Sequence, residues 1–269
     1  MVGRLPAALA GPGGAAMTQS LQSPRGEGVF GKADMHLHTL YSDGTASIAE
    51  ILDHVEHETD LDLVAITDHE RIDGALRARE IHAAGDYAFD LVVGEEITTR
   101  RGHVLALFIE DRIPALRPLG ETLERIHDQG GLAIAAHPLA PLTPSLGRRS
   151  LVRSVGEADP RRRLDAIELM NPSEAGRVRR VERDRLNLEV LHLPAVGNSD
   201  AHVLEGVGTA WTWFPGASPD DYRTAIAVGT TRPGGEYWTR RHNVDVYRRQ
   251  LLAKAKHLRH TLRPSGEWR

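Results

Sequence analysis

Cysteine is absent from all 269 positions of this sequence. Disulfide bonds, thiolate zinc sites and cysteine nucleophiles are therefore excluded. A transition-metal site in this chain would have to use imidazole and carboxylate ligands. The sequence contains 14 histidines, which is enough to build such a site.

Aromatic residues and net positive charge are also scarce. Phe, Trp and Tyr make up 5% of the chain, the formal net charge is −4, and the sequence pI is about 6.4. An acidic chain has no general attraction for nucleic acid, and few aromatic rings are available to stack successive bases. These features therefore make a nucleic-acid partner less expected, and bulk electrostatics names no other partner.

Long hydrophobic segments are missing as well. The apolar residues 5–10 are interrupted by Pro6 and followed by Gly-Pro-Gly-Gly, so they are too short to span a bilayer and unsuited to a signal peptide. We predict a cytoplasmic protein with no membrane partner. Residues 1–30 are rich in Gly, Ala, Pro and Ser and are predicted to be a disordered leader. Either Met1 or Met17 can be the start.

From residue 32 onward, short β-like runs alternate with helical segments, as in an α/β fold with parallel strands and helical crossovers. Ser47 and Glu50 form a capping box that predicts a helix over residues 47–59. Further helices are predicted over residues 72–84, 121–129, 173–189, 219–228 and 244–262. We assign residues 31–235 to one barrel-sized domain and residues 236–269 to a C-terminal basic helix and tail.

Five of the β-like runs end in histidine or a carboxylate: D-M-H-L-H, T-D-H, G-E-E-I, A-A-H-P and N-S-D-A-H. In β/α barrels the carboxyl ends of the strands meet at one mouth, so these groups are expected to lie together. His36 and His38 are two residues apart and share one face of a strand, as two ligands of one ion would. The same pattern includes His69, His137, Asp200 and His202.

Single histidines at strand ends can equally be buried structural residues, and only their recurrence indicates a metal site. His54 and His57 lie three residues apart on the first predicted helix, among acidic residues, and are interpreted as surface groups. His103 precedes its apolar run, and local evidence alone would also place it at the surface.

The motifs D-M-H-L-H-T, S-D-G-T, I-T-D-H, V-G-E-E-I, G-H-V-L-A-L, A-A-H-P and N-S-D-A-H resemble, in order and spacing, those of the polymerase and histidinol phosphatase (PHP) superfamily. The resemblance covers about residues 32–233. It implies a distorted seven-stranded β/α barrel that binds two to three divalent ions of manganese, zinc or iron. The long domain that some members insert before the A-H-P strand is missing, so the chain resembles the compact branch.

The resemblance also implies a ligand set. His36, His38, Glu96 and Asp200 would hold one ion. Glu96 would bridge to a second ion held by His103 and His137. Asp43, His69 and His202 would hold a third, whose occupancy can differ because some relatives have histidine at the position of Asp43. Glu95 and Glu96 face opposite sides of a regular strand, and the motif favours Glu96 as the ligand.

The positive charge of three divalent ions would exceed the negative charge of the three carboxylates and one bound hydroxide together. The site would therefore keep a net positive charge, which suits a phosphate monoester dianion. The resemblance therefore implies a phosphoric ester hydrolase in which a hydroxide bridging two ions attacks a small phosphomonoester, without a side-chain nucleophile. Arg148, Arg149 and Arg177 lie on segments expected to border the mouth and are predicted to bind the substrate.

Three other functions stay open at this point. A nuclease or phosphodiesterase would use the same ions along a basic track. A hydrolase of carboxyl esters or amides would use the same hydroxide. A noncatalytic binding module would use metal for stability alone. The sequence does not specify the substrate, the metal or the oligomeric state.

Overall fold

The computed structural model describes residues 28–141, 143–241 and 243–249. The predicted leader, up to residue 27, and the predicted tail after residue 249 lie outside the described residues. The strands are β1 (Phe30–Leu37), β2 (Leu63–Ile66), β3 (Asp90–Thr99), β4 (Gly102–Leu107), β5 (Leu132–Ala135), β6 (Ala166–Met170), β7 (Ala195–Gly197), β8 (Ala210–Pro215) and β9 (Arg232–Gly235). The helices are α1 (Ile48–Glu58), α2 (Asp73–Ala84), α3 (Leu119–Asp128), α4 (Arg148–Val155), α5 (Glu174–Arg177), α6 (Arg180–Leu186) and α7 (Pro219–Val228). Residues 240, 241 and 243–249 are also helical.

All nine strands belong to one sheet, in the order β7-β6-β5-β4-β3-β2-β1-β8-β9. Neighbours are parallel from β1 to β3 and from β5 to β7, whereas β4, β8 and β9 pair antiparallel with their neighbours. The expected α/β barrel-type fold is confirmed, with nine strands in place of seven. The parallel strands that the alternation favours are present, but β4 is antiparallel to β3, because only two residues separate the two strands and so short a connection joins antiparallel strands.

The two ends of the strand order meet at a seam that nearly closes the sheet. Gly197 at the end of β7 donates its N–H to the hydroxyl of Thr212 on β8 at 3.0 Å, and that hydroxyl also lies 2.9 Å from the carbonyl oxygen of Gly197. A Cβ atom at Gly197 would lie 2.5 Å from the carbonyl oxygen of Trp211 and 3.1 Å from that of Gly234. Only glycine permits this close approach of β7 to β8 and β9.

Buried side chains alternate between two hydrophobic clusters. On β3, Val93 and Ile97 pack outward in the cluster that includes residues of α1, α2 and α3, whereas Val92 packs inward. The pairing of β1 with β2 shifts between Asp34 and Leu37, and such an irregularity re-aims side chains. Helix α7 supplies Tyr222, Ala225 and Ile226 to the inner cluster and lies after β8, at the end of the barrel where β1 begins.

Local sequence chemistry explains several helix boundaries. Ser47 and Glu50 form the predicted capping box of α1. The predicted helix over residues 173–189 is instead divided into α5 and α6, because Arg179 adopts a left-handed conformation with φ of 60°. Helix α4 and strand β9 were missed. The sequence of β9, R-P-G-G, combines residues that strands usually disfavour.

None of the helices in the described part of the chain combines the length and the apolar composition needed to cross a bilayer.

Candidate metal centre

The nine residues that the sequence assigned to metal binding come together at one mouth of the barrel. Eight of them lie on or after strands whose carboxyl ends point to this mouth. His103 is the ninth, and it lies near the start of β4, which runs antiparallel to β3 and therefore begins where β3 ends. This direction explains why local sequence evidence alone would have placed His103 at the surface.

Glu96 occupies the middle of the cluster and is 1% exposed. Its Oε2 lies 3.1 Å from His36 Nε2, 3.3 Å from His38 Nε2 and 3.3 Å from His69 Nδ1. Its Oε1 lies 2.7 Å from His103 Nδ1 and 3.0 Å from His137 Nε2. The two oxygens of one carboxylate therefore face two separate sets of imidazoles.

Asp200 and Asp43 complete the two sides of the cluster. Asp200 Oδ1 lies 3.4 Å from His36 Nε2 and 3.3 Å from His38 Nε2. Asp43 Oδ1 lies 3.2 Å from His202 Nε2, 3.7 Å from His69 Nε2 and 3.8 Å from His38 Nδ1. His38 thus offers one ring nitrogen to each aspartate.

The donor atoms fit divalent metal ions. Three groups have ligand atoms within 4.8 Å of one another: His38, Asp43, His69 and His202; His36, His38, Glu96 and Asp200; and His69, Glu96 and His103. His36 Nε2, both ring nitrogens of His38 and His103 Nδ1 are buried and make no hydrogen bond. Buried nitrogens of this kind, set beside carboxylate oxygens, are the ligands that zinc, manganese and iron accept.

Without metal, the charges of the cluster balance internally. Burial opposes protonation of His38, but the carboxylates of Asp200 and Glu96 outweigh it and raise the pKa of the ring to about 10. Burial also opposes ionisation of Glu96 and Asp200, yet the surrounding imidazoles hold the pKa of both carboxyls well below the usual range. Burial and neighbouring His38 lower the pKa of His69 to about 4, although Glu96 opposes this shift.

Glu168 and Asn171 form hydrogen bonds to residues of the cluster. The sequence left the role of both residues open. Glu168, in the middle of β6, accepts hydrogen bonds from the backbone N–H of His137 at 2.7 Å and from Asn198 Nδ2 at 2.8 Å, and its Oε1 lies 2.9 Å from His36 Nδ1. Asn171 Nδ2 donates to Asp200 Oδ2 at 3.1 Å. A carboxylate on the far nitrogen of a ligating histidine fixes the orientation of the ring. The sequence predicted Glu168 near a strand end, whereas the structure places it in the middle of β6.

The loop that carries Asp43 is held by Asp68. Asp68 accepts hydrogen bonds from the backbone N–H of Thr39 at 2.8 Å and from the Thr39 hydroxyl at 2.7 Å.

His137 and Asp200 have positive φ angles of 28° and 53°. Such conformations are strained for residues with a Cβ atom and persist only where surrounding contacts impose them, often at functional sites.

The cluster forms the floor of a pocket of about 260 Å³. The lining residues outside the cluster are Thr143, Pro144, Ser173, Ala175, Trp238, Asn243, Val246 and Tyr247. The last four belong to residues 236–269, which the sequence assigned to a basic helix and tail outside the barrel. We call these four residues, Trp238, Asn243, Val246 and Tyr247, the C-terminal wall.

The three arginines predicted to bind substrate lie elsewhere among the described residues. Arg149 lines a separate cavity of about 780 Å³. Arg148 lines a third cavity, between α4 and α6. Arg177 pairs with Glu174 at 3.2 Å. The described residues that line the metal pocket include none of the three.

Comparison with known proteins bears on this site. A family model described as PHP-associated matches residues 183–231. The uncharacterised protein MJ1587 of Methanocaldococcus jannaschii is 34% identical over 151 residues, which are 52% of this chain and 81% of that protein.

Two solved structures share the fold. A two-domain protein from Bacteroides vulgatus, described as containing a predicted PHP-like metal-dependent phosphoesterase, has a TM-score of 0.65 at 20% identity, covering 89% of this chain and 75% of that chain. The lesion-specific endonuclease PfuEndoQ from Pyrococcus furiosus has a TM-score of 0.53 at 18% identity, covering 76% of this chain and 58% of that chain. With the histidine and carboxylate motifs gathered at one barrel mouth and a relative covered over most of its length, this chain belongs to the PHP superfamily.

Proposed function

We propose that this protein is a metal-dependent phosphoesterase that hydrolyses a small phosphomonoester. The observation that carries the proposal is the position of Glu96, whose two oxygens face two sets of imidazoles in one buried cluster. A single carboxylate in this position is suited to bridge two ions. The description of the Bacteroides vulgatus protein as containing a predicted PHP-like phosphoesterase supports the same class of reaction.

The proposed ligands are those that the family resemblance implies, and the contacts of Glu96 with His36, His38, His103 and His137 support them. We assign His36, His38, Glu96 and Asp200 to one ion, and Glu96, His103 and His137 to a second. Asp43, His69 and His202 would hold a third. When bound, divalent ions supply Lewis acidity, which polarises a phosphate and makes water more acidic.

The chain itself contributes orientation and exclusion of competing nucleophiles. Glu168 fixes the ring of His36 and the backbone of His137. The hydroxyl of Ser173, in the pocket wall, donates to Asn171 Oδ1 at 2.6 Å and accepts the N–H of Gly176, so it is engaged in holding its own loop. Ser173 is therefore not assigned as a nucleophile, and we propose water as the nucleophile, with the ester held between the pocket walls and the cluster.

Three reporters with the same leaving group test this proposal: p-nitrophenyl phosphate, bis-p-nitrophenyl phosphate and p-nitrophenyl acetate. Protein would be loaded separately with manganese, zinc or iron, and its metal content measured before each assay. We expect more than one equivalent of metal and the highest kcat/KM for the monoester. A higher kcat/KM for the diester or the acetate, with the metal sites filled, would refute the phosphomonoesterase.

A nuclease is the second candidate, and one structural observation favours it. A cavity of about 780 Å³ collects five arginines and two glutamates. The arginines are Arg100, Arg101, Arg149, Arg153 and Arg162. Arg100 and Arg101 connect β3 to β4, close along the chain to Glu96 and His103, so a nucleic-acid backbone bound here would lie on the side of the metal pocket.

Charge reversal separates these two candidates. For a nuclease, Arg149→Glu and Arg153→Glu should weaken cleavage of single-stranded DNA, and cleavage should fall steeply with salt. Hydrolysis of p-nitrophenyl phosphate should be unaffected by either variant. Efficient DNA cleavage with negligible turnover of the monoester would establish the nuclease instead.

A further inference from the structure

The C-terminal wall is fastened to the mouth of the barrel by specific hydrogen bonds. Trp238 donates its backbone N–H to the carbonyl of Pro172 at 2.9 Å and its indole N–H to the hydroxyl of Thr209 at 3.0 Å. Asn243 Oδ1 accepts the N–H of Glu174 at 2.9 Å. Trp238 and Val246 also pack in a hydrophobic cluster with Val203. The wall is therefore attached to the loops that follow β6 and β7, which also carry Asn171, Asp200 and His202.

These attachments set one aromatic side chain at the pocket surface. Trp238 and Val246 are 8% and 5% exposed, whereas Tyr247 is 43% exposed and lines the pocket together with Asp200. An exposed ring on a fastened segment offers a flat apolar surface to a bound molecule.

The charge of the pocket is confined to its floor. Among the described residues that line it, none outside the nine-residue cluster is Lys, Arg, Asp or Glu. A second anionic group on a substrate would lose its water and contact only Thr, Ser, Asn and aromatic side chains. Removing an anion from water without a cation to pair with it is unfavourable. The volume of about 260 Å³ is also small compared with pockets for larger ligands.

We infer that the C-terminal wall determines substrate specificity: it receives the alcohol part of the ester, that part is small and uncharged, and the ring of Tyr247 packs against it. This inference rests on the proposed phosphomonoesterase and names the class of its substrate. Phosphate binds to the floor, and the organic group binds to the wall. Tyr247 is thus proposed to bind the substrate directly and to contribute to its specificity.

Steady-state kinetics of the full, manganese-loaded chain test the inference with p-nitrophenyl phosphate and a hexose bisphosphate. For Tyr247→Ala we expect KM for p-nitrophenyl phosphate to rise about two- to tenfold, as for the loss of one aromatic contact, with a smaller change in kcat. Tyr247→Phe should retain the wild-type KM because the ring remains. Inhibition by inorganic phosphate should be unchanged in both variants, since phosphate contacts the floor only.

Tyr237→Ala is the matched control. Tyr237 lies in the same segment, with the guanidinium of Arg180 over its ring at 5.2 Å, and is absent from the residues that line the pocket. If the wild type is active but Tyr247→Ala and Tyr237→Ala have equal KM values, the role of the wall is refuted and the proposed function is not. A preference for the bisphosphate would refute the inference that the alcohol part is uncharged. If the metal-loaded wild type turns over neither ester, the proposed function and this inference both fail.

Discussion

The two ends of the barrel differ in chemistry although the same strands build both. We call the end beside α7 the closed end and the end with the metal cluster the open end. On the inward face of β3, Val92 lies near the closed end and packs in the cluster that includes Phe214 and Tyr222. Four residues later the same face carries Glu96, surrounded by imidazoles. The closed end removes apolar surface from water and stabilises the fold, whereas the open end gathers buried charges that are tolerated only because they neutralise one another or bind metal.

The largest effect is expected from a substitution at the open end. His36→Ala removes a proposed ligand, and turnover should fall by more than about 100-fold, beyond the usual loss when only an outer partner of a ligand is removed. The fold should be retained, but the unfolding midpoint of the metal-free protein should also fall, because the buried carboxylates around His36 lose a positive partner. Steady-state assays and thermal unfolding of the same preparation would check both expectations.

His57→Ala is the control for that loss. The ring of His57 lies at the surface of α1, where its Nε2 is 3.5 Å from Asp53 Oδ1, and both side chains are largely exposed. Its activity should equal that of the wild type. Wild-type activity in His36→Ala, or a comparable loss in His57→Ala, would contradict the assignment of the site.

At the closed end we expect a substitution to lower stability and leave activity unchanged. Phe214 is fully buried, and its ring packs edge-on against Tyr222 with centroids 5.4 Å apart. Phe214→Ala should lower the free energy of unfolding by about 3–5 kcal/mol, because it removes a large apolar side chain and leaves a cavity. Urea unfolding would measure this loss. Activity per folded molecule should stay near that of the wild type, and a loss of metal affinity in this variant would show that the two ends are not independent.

Glu168 lies between the two ends and is expected to have an intermediate effect. Glu168→Gln keeps the shape of the side chain but removes the charge beside His36, so metal affinity or turnover should fall about 10- to 100-fold. Titration of the metal-free variant with manganese would measure the change in affinity. Unchanged affinity and turnover would reduce Glu168 to a structural hydrogen-bonding residue.

The smallest effect, when counted for a single pH unit, is expected for the pH dependence of metal binding. The pKa of His38 lies above its ordinary value of 6.5, at about 10, so in the metal-free protein the ring is protonated at neutral pH. Its stabilising contribution is complete below 6.5 and is lost as the pH rises through 10. Metal must displace this proton, and affinity should rise with pH in this range by about tenfold per unit for each proton displaced. Calorimetric titrations in buffers of different ionisation enthalpy should detect the released protons, and their absence would contradict the prediction.

Local patterns predicted much of the fold. The capping box of α1 and the bounds of α7 agree with the structure, because each depends on side chains close together in sequence. The break at Arg179 was missed because it depends on one backbone conformation within a continuous charged segment. The antiparallel direction of β4 was missed because alternation of apolar residues is the same for either strand direction.

By itself, the sequence determined the chemical elements of this protein: no thiols, many histidines, and histidines or carboxylates at the ends of apolar strands. These features depend on residue identity and on the two-residue period of a strand. Tertiary structure alone decided which groups meet. It brought His103 to the mouth through an antiparallel strand, set Glu168 beside His36, left the predicted arginines outside the pocket and placed the C-terminal wall beside it. Contacts between residues far apart in the chain depend on strand order and loop paths, which no local pattern encodes.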